Sequence, residues 1–165
     1  MRRSLYFVCP TDCLEPVING YFGDKNHYYT SLGNSVVFDM DTIGHLRQLI
    51  LKHSIQEISF VLSINNPIIV DALENQNFAD IRGLNDLYME LVKQKGHSEV
   101  LCGGHNRQFI ILSYHLNKKI KEFQFVLESL GMNQIKVGGK IYSKEEHTFY
   151  KIYSDLVCTE FFSLN

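Results

Sequence analysis

The sequence predicts a three-layer α/β domain, a mainly parallel sheet with helices on its faces. Ser4–Cys9 and Ile58–Leu62 are short, continuous apolar runs, the pattern of strands buried on both faces. Between and after them, apolar residues return at helical spacing over longer stretches. Alternation of the two periodicities is what a sheet covered by helices requires.

Each element has its own local reason. Pro10 lacks the N–H that a ladder needs, so the first strand should end at Cys9. Tyr28–Ser31 and Ser35–Phe38 are β-branched or aromatic and flank Gly33-Asn34, a turn signal, so both are expected as strands. Asp41 is expected to cap a helix through about His53, with Ile43, Leu46, Leu49 and Ile50 at helical spacing and Arg47 and Lys52 on another side. The strand Ile58–Leu62 gives way to Ser63-Ile64-Asn65-Asn66-Pro67, where Pro67 suits the first turn of a helix through Leu73 and Asn66 suits its cap. Leu84–Lys95 is amphipathic through Leu84, Leu87, Tyr88 and Leu91, with Gly96 placed to end it. Leu116, Ile120, Phe123, Leu127 and Leu130 predict a further helix closed by Gly131, with Lys118 and Glu122 spaced for attraction. Ile135–Val137 with Ile141-Tyr142 predicts the last strand, and Thr148–Tyr153 a return strand.

A chain of 165 residues suits one domain, taken as 1–165, and no linker or repeat divides it. A formal net charge of −2 argues against the broad basic surface of a nonspecific nucleic-acid binder. No apolar run is long enough to insert in a membrane. Met-Arg-Arg leads only into Leu5–Val8, too short for a signal-peptide core, so a cytoplasmic protein with reduced thiols is expected.

In parallel sheets, ligands bind outside the carboxyl ends of the strands. That edge should gather Cys9, Thr11, Asp12 and Cys13 after the first strand, and Ser63, Asn65 and Asn66 after the second. Their hydroxyls and amides suit a small polar ligand, although strand-end loops are polar in any case. Cys9 and Cys13, at Cys-x-x-x-Cys spacing, read either as a redox pair or as a small buried hydrophobe beside a free thiol. Cys102-Gly103-Gly104-His105 reads either as a turn or as half of a metal site. His27, His45, His53, His97, His115 and His147 show no paired metal spacing and read as surface or satisfied histidines.

The order of these segments resembles a β-class carbonic anhydrase over nearly the whole chain. That family's core begins with a strand ending Cys-Ser-Asp-Ser-Arg-x-x-Pro. Here Cys9-Pro10-Thr11-Asp12-Cys13-Leu14-Glu15-Pro16 keeps the first Cys and the last Pro. Gly23-Asp24 and Ser31-Leu32-Gly33-Asn34-Ser35-Val36 are similar to the family's Gly-Asp and Asn-Ala-Gly-Asn segments. Ile135–Tyr142 is similar to its last core strand.

The resemblance implies a zinc held by the strand-end Cys and by a His and a Cys of a Gly-His-x-x-Cys-Gly loop. Cys9 maps to the first ligand, but Ile64 and Pro67 stand where the other two belong. Thr11 and Cys13 stand where the catalytic Asp and Arg belong. A catalytic zinc takes about three protein ligands, and one remains. The expected function is therefore non-catalytic, the binding of a small ligand or a partner protein, with no metal. The alternative is a zinc hydro-lyase with relocated ligands Cys9, Cys13, Cys102 and His105. The family also implies a homodimer formed by extending the sheet across a two-fold axis. The family's N-terminal helical arm has no counterpart before Ser4, so the aromatic stretch Phe149–Phe162 is a candidate interface.

Overall fold

The computed structural model describes residues 2–23, 25–101 and 107–153, with the backbone alone for 97–101. Five strands form one sheet in the order β2-β1-β3-β4-β5: β1 (Ser4–Val8), β2 (Asn26–Thr30), β3 (Glu57–Ser63), β4 (Lys136–Ser143) and β5 (Thr148–Lys151). The first three pairings are parallel, and β4–β5 is antiparallel. The two apolar runs are adjacent, with Leu5 opposite Ile58 and Phe7 opposite Phe60. The helices are α1 (Glu15–Phe22), α2 (Met40–His53), α3 (Pro67–Leu73), α4 (Asn85–Leu101) and α5 (Arg107–Ser129).

The main core lies on one face of the sheet. Leu5, Phe7, Ile58, Phe60 and Ile141 meet Leu46 and Ile50 of α2, Ile69 of α3, Leu91 of α4 and Leu116, Ile120 and Phe123 of α5. Phe7 and Phe60 stack with ring centroids 4.4 Å apart, and Phe123 meets Phe7 edge-on at 5.5 Å. On the other face α1 covers Tyr6, Val8, Val61 and Tyr142 with Leu14 and Ile18. The sheet therefore has helices on both faces, as expected, divided unequally. No helix among the described residues is long and apolar enough to cross a membrane.

Several local expectations are corrected. Ser35–Phe38 forms no strand: a 3-10 turn at Leu32–Asn34 leads into irregular chain, where Val36 is buried and Phe38 stacks on Phe123 at 5.0 Å. Val36 and Phe38 plug the space under α5 instead of joining the ladder, while Val37 points to solvent. The cap of α2 is Asp39, whose carboxylate accepts the Thr42 N–H at 2.8 Å, while Asp41 sits in the first turn. Gly96 does not end α4, which runs to Leu101. Lys118 pairs with Glu90 across helices at 3.8 Å, leaving Glu122 to Lys119 at 2.9 Å. Helix α1 is an addition to the expected elements, and Pro16 in its first turn is the usual start signal.

Close approach explains one glycine of β4. A Cβ on Gly139 would lie 2.7 Å from Ile152 Cδ1 and 3.2 Å from Ile120 Cδ1. The bare backbone lets α5 and the chain after β5 pack directly on the strand.

Candidate functional site

The carboxyl edge of β1 and β3 holds a connected hydrogen-bond network. Because Pro10 stops the ladder, the chain turns at Pro10–Asp12 in a 3-10 turn with Cys9 at its start. Cys9 is fully buried. Its Sγ receives the Gly33 N–H at 3.1 Å and shares a hydrogen bond with Thr11 Oγ1 at 3.0 Å. Asn66 Nδ2 reaches Thr11 Oγ1 at 3.4 Å. The Oδ1 of Asn66 accepts the N–H groups of Ile68 and Ile69, both at 3.1 Å, so the buried Asn66 caps α3 as its sequence position predicts. From the turn after β1, Asp12 Oδ2 accepts the Ser63 N–H at 2.9 Å. Burial raises the Asp12 carboxyl above the ordinary aspartate range, opposed by hydrogen bonds from Ser63 and Asn66.

Three residues outside the seven expected at this edge, Gly33, Asn34 and His115, hold it from behind. Asn34 is buried, and its Nδ2 donates to Phe7 O at 3.3 Å and Val61 O at 3.0 Å, tying β1 to β3. Gly33 takes φ +60°, and a Cβ there would lie 2.9 Å from Leu87 Cδ2. His115 of α5 is buried and bonds Gly33 O through Nε2 at 2.7 Å. Since a carbonyl only accepts, the ring is the Nε2–H tautomer. Burial lowers its pKa to about 4, so it is neutral at physiological pH. Gly33 is therefore pinned at both ends, by a thiol and by an imidazole. The turn signal at Gly33-Asn34 was legible, but nothing local distinguishes His115 from the other scattered histidines.

Five of the seven edge residues come together: Cys9, Thr11, Asp12, Ser63 and Asn66. Cys13 and Asn65 do not. Cys13 is exposed in a left-handed conformation (φ 51°), with its Sγ 3.5 Å from Pro10 O, and Asn65 is exposed. Cys9 and Cys13 are free thiols, not a disulfide. Cys102 and His105, the remaining members of the alternative metal set, lie outside the described residues. His27 and His53 lie together: their ring centroids are 4.0 Å apart with the planes tilted by 35°, where β2 begins and α2 ends, at the opposite edge of the sheet.

The residues at the strand-end positions do not fit a zinc ion. Ile64 packs against the main core, and Pro67 opens α3. Neither of those two side chains has a lone pair to give. Among the described residues, no three His, Cys, Asp or Glu side chains are grouped to hold a metal ion.

No family model and no curated protein matches the sequence. Solved structures do match. The wild-type β-carbonic anhydrase CafD of Aspergillus fumigatus superimposes with a TM-score of 0.73 at 18% identity, over 93% of this chain and 90% of that one. A tetrameric β-carbonic anhydrase of Sordaria macrospora gives 0.70 at 16% identity, over 93% and 81%. The Coccomyxa β-carbonic anhydrase, solved with acetazolamide, gives 0.64 at 14% identity, over 99% and 84%. The chain has the β-carbonic-anhydrase fold, as the order of its segments implied.

Proposed function

We propose that this chain keeps the β-carbonic-anhydrase fold without its zinc chemistry and acts by binding rather than catalysis. The supporting observation is at the positions of the other two ligands, where Ile64 packs against the main core and Pro67 opens α3, so that the buried Cys9 is the one lone-pair donor left of the three. CO2 hydration at neutral pH needs a metal that brings the pKa of bound water to about 7. One cysteine, with Ile64 and Pro67 in place of the other ligands and Thr11 and Cys13 in place of the acid and base helpers, supplies no such centre. At this edge a small polar ligand or a protein partner would meet the exposed Asn65 and Cys13 and the partly buried Ser63. The free thiols of Cys9 and Cys13 suit a reducing compartment such as the cytoplasm.

The test is metal analysis of protein purified without a metal-binding tag, together with stopped-flow CO2 hydration in the presence of zinc. The expected result is little zinc and a flat trace for both the parent and Cys9→Ser. About one zinc per chain, with rapid hydration lost in Cys9→Ser, would overturn the proposal. Hydration that depends on Cys102 and His105 would favour the relocated ligand set Cys9, Cys13, Cys102 and His105.

The partner we propose first is a second copy of the chain, as a homodimer. Tetrameric assembly of the Sordaria macrospora enzymes, which share the fold, supports self-association. Of the candidate aromatic stretch Phe149–Phe162, Phe149 packs within the chain against Tyr21, Phe22 and Tyr142, and residues 154–162 lie outside the described ones. Light scattering at tens of micromolar that reports only monomer would remove this part of the proposal.

A further inference from the structure

The amino-terminal edge of the sheet, opposite the Cys9 network, brings two histidines together from separate elements. His27 is the second residue of β2 and lies in register with Leu5, so its side chain leaves the sheet on the face that α2 covers. His53 is the last residue of α2, seven residues after Leu46 and three after Ile50, which are the residues that helix buries. Strand and helix therefore turn both imidazoles into the same space. Their ring centroids lie 4.0 Å apart, and both side chains are half-buried.

Two imidazoles at this separation form a chelating pair. A divalent metal sits about 2.0–2.1 Å from an imidazole nitrogen, which puts two ligating rings about 4.5 Å apart by centroid at right angles and about 5 Å apart in a tetrahedron. The pair reaches the first arrangement by opening about 0.5 Å and the second only by about twice that. Nickel(II) and copper(II), which take ligands at right angles, fit better than tetrahedral zinc. Burial, and then the neighbouring His53 and Arg3, hold the His27 pKa below the ordinary 6.5, so its lone pair is free at pH 7.5. His53 closes α2, so a cation bound there meets the negative end of the helix dipole. Arg3 opposes it: the guanidinium donates to His53 O at 3.1 Å, although it is exposed and screened by solvent. Among the described residues no third His, Cys, Asp or Glu joins the pair, so solvent would complete the coordination and the affinity is moderate.

We propose that His27 and His53 form a two-histidine site for a late first-row divalent cation, nickel(II) or copper(II), that staples β2 to the end of α2. Among the described strands β2 pairs with β1 alone, so the ion gives this edge strand a second attachment. The site is separate from the Cys9 edge and stands or falls independently of the function proposed for that edge.

Calorimetric titration of the full chain with nickel chloride at pH 7.5, on protein purified without a metal-binding tag, tests it. The expected result is one ion per chain with a Kd on the order of tens of micromolar, as two imidazoles acting together provide. His27→Gln and His53→Gln, each checked for folding by circular dichroism, should each weaken binding at least about tenfold, because one imidazole cannot chelate. Nickel at about a hundredfold excess over the parent's Kd should raise the parent's melting temperature by at least about 5 °C, and that of either variant by about half as much or less. A readout that needs no variant is NMR with substoichiometric nickel, whose paramagnetism should broaden the imidazole resonances of His27 and His53 before those of the other histidines. No saturation by about 1 mM nickel, binding that survives either substitution, or earlier broadening at other histidines would overturn the site.

Discussion

His115 ties stability to pH in a calculable way. Its ring is buried against Gly33 and has a pKa of about 4, against 6.5 for an ordinary histidine. The unfolded chain therefore takes up a proton below 6.5 that the folded chain refuses until about 4, so stability falls as pH falls through that window. At pH 5 the loss from this one group is about 2 kcal/mol, and it approaches about 3.4 kcal/mol when both forms are protonated. The assay is urea unfolding of the parent and of His115→Gln between pH 7.5 and 4.5. Glutamine can still donate to Gly33 O but does not titrate. The variant should be less stable than the parent at pH 7.5, and the gap should close by about 2 kcal/mol at pH 5. Parallel curves for the two proteins would refute the assignment of His115 as a neutral buried donor.

Asn66→Ala removes the cap of α3 and the contact to Thr11, and should cost about 1–2 kcal/mol in urea unfolding. It should also speed the reaction of Cys9 with a thiol reagent, read by mass spectrometry against the exposed Cys13. Asp12 has the opposite sign to His115. Burial holds its folded pKa above 3.8, so the folded state binds the proton more readily and stability falls as pH rises through that window. Asp12→Asn, which still accepts from Ser63, should abolish this component and should be at least as stable as the parent at pH 7 by thermal melting.

What was legible in the sequence is what local chemistry dictates. Continuous apolar runs at Ser4–Cys9 and Ile58–Leu62 must be buried strands, because nothing else buries both sides of so short a segment. Asn66 before Pro67 must cap, since proline accepts the first turn and the amide satisfies two orphan N–H groups. The order of segments was enough to imply the fold, and the loss of lone pairs at Ile64 and Pro67 could be read from residue type alone. The tertiary structure decided the rest. Ser35–Phe38 has strand composition, but Phe38 stacks on Phe123 of α5 and Val36 is buried in the main core, so the segment packs under α5 and pairs with no strand. Cys13 shares a motif with Cys9, yet the left-handed turn at Cys13 sends one thiol outward while the other is buried. His115 lies 82 residues from Gly33, and only the packing of α5 on the turn makes it the donor that holds that peptide. Sequence spacing reports contacts within a turn or a strand, whereas contacts closed over such distances depend on which faces the whole fold brings together.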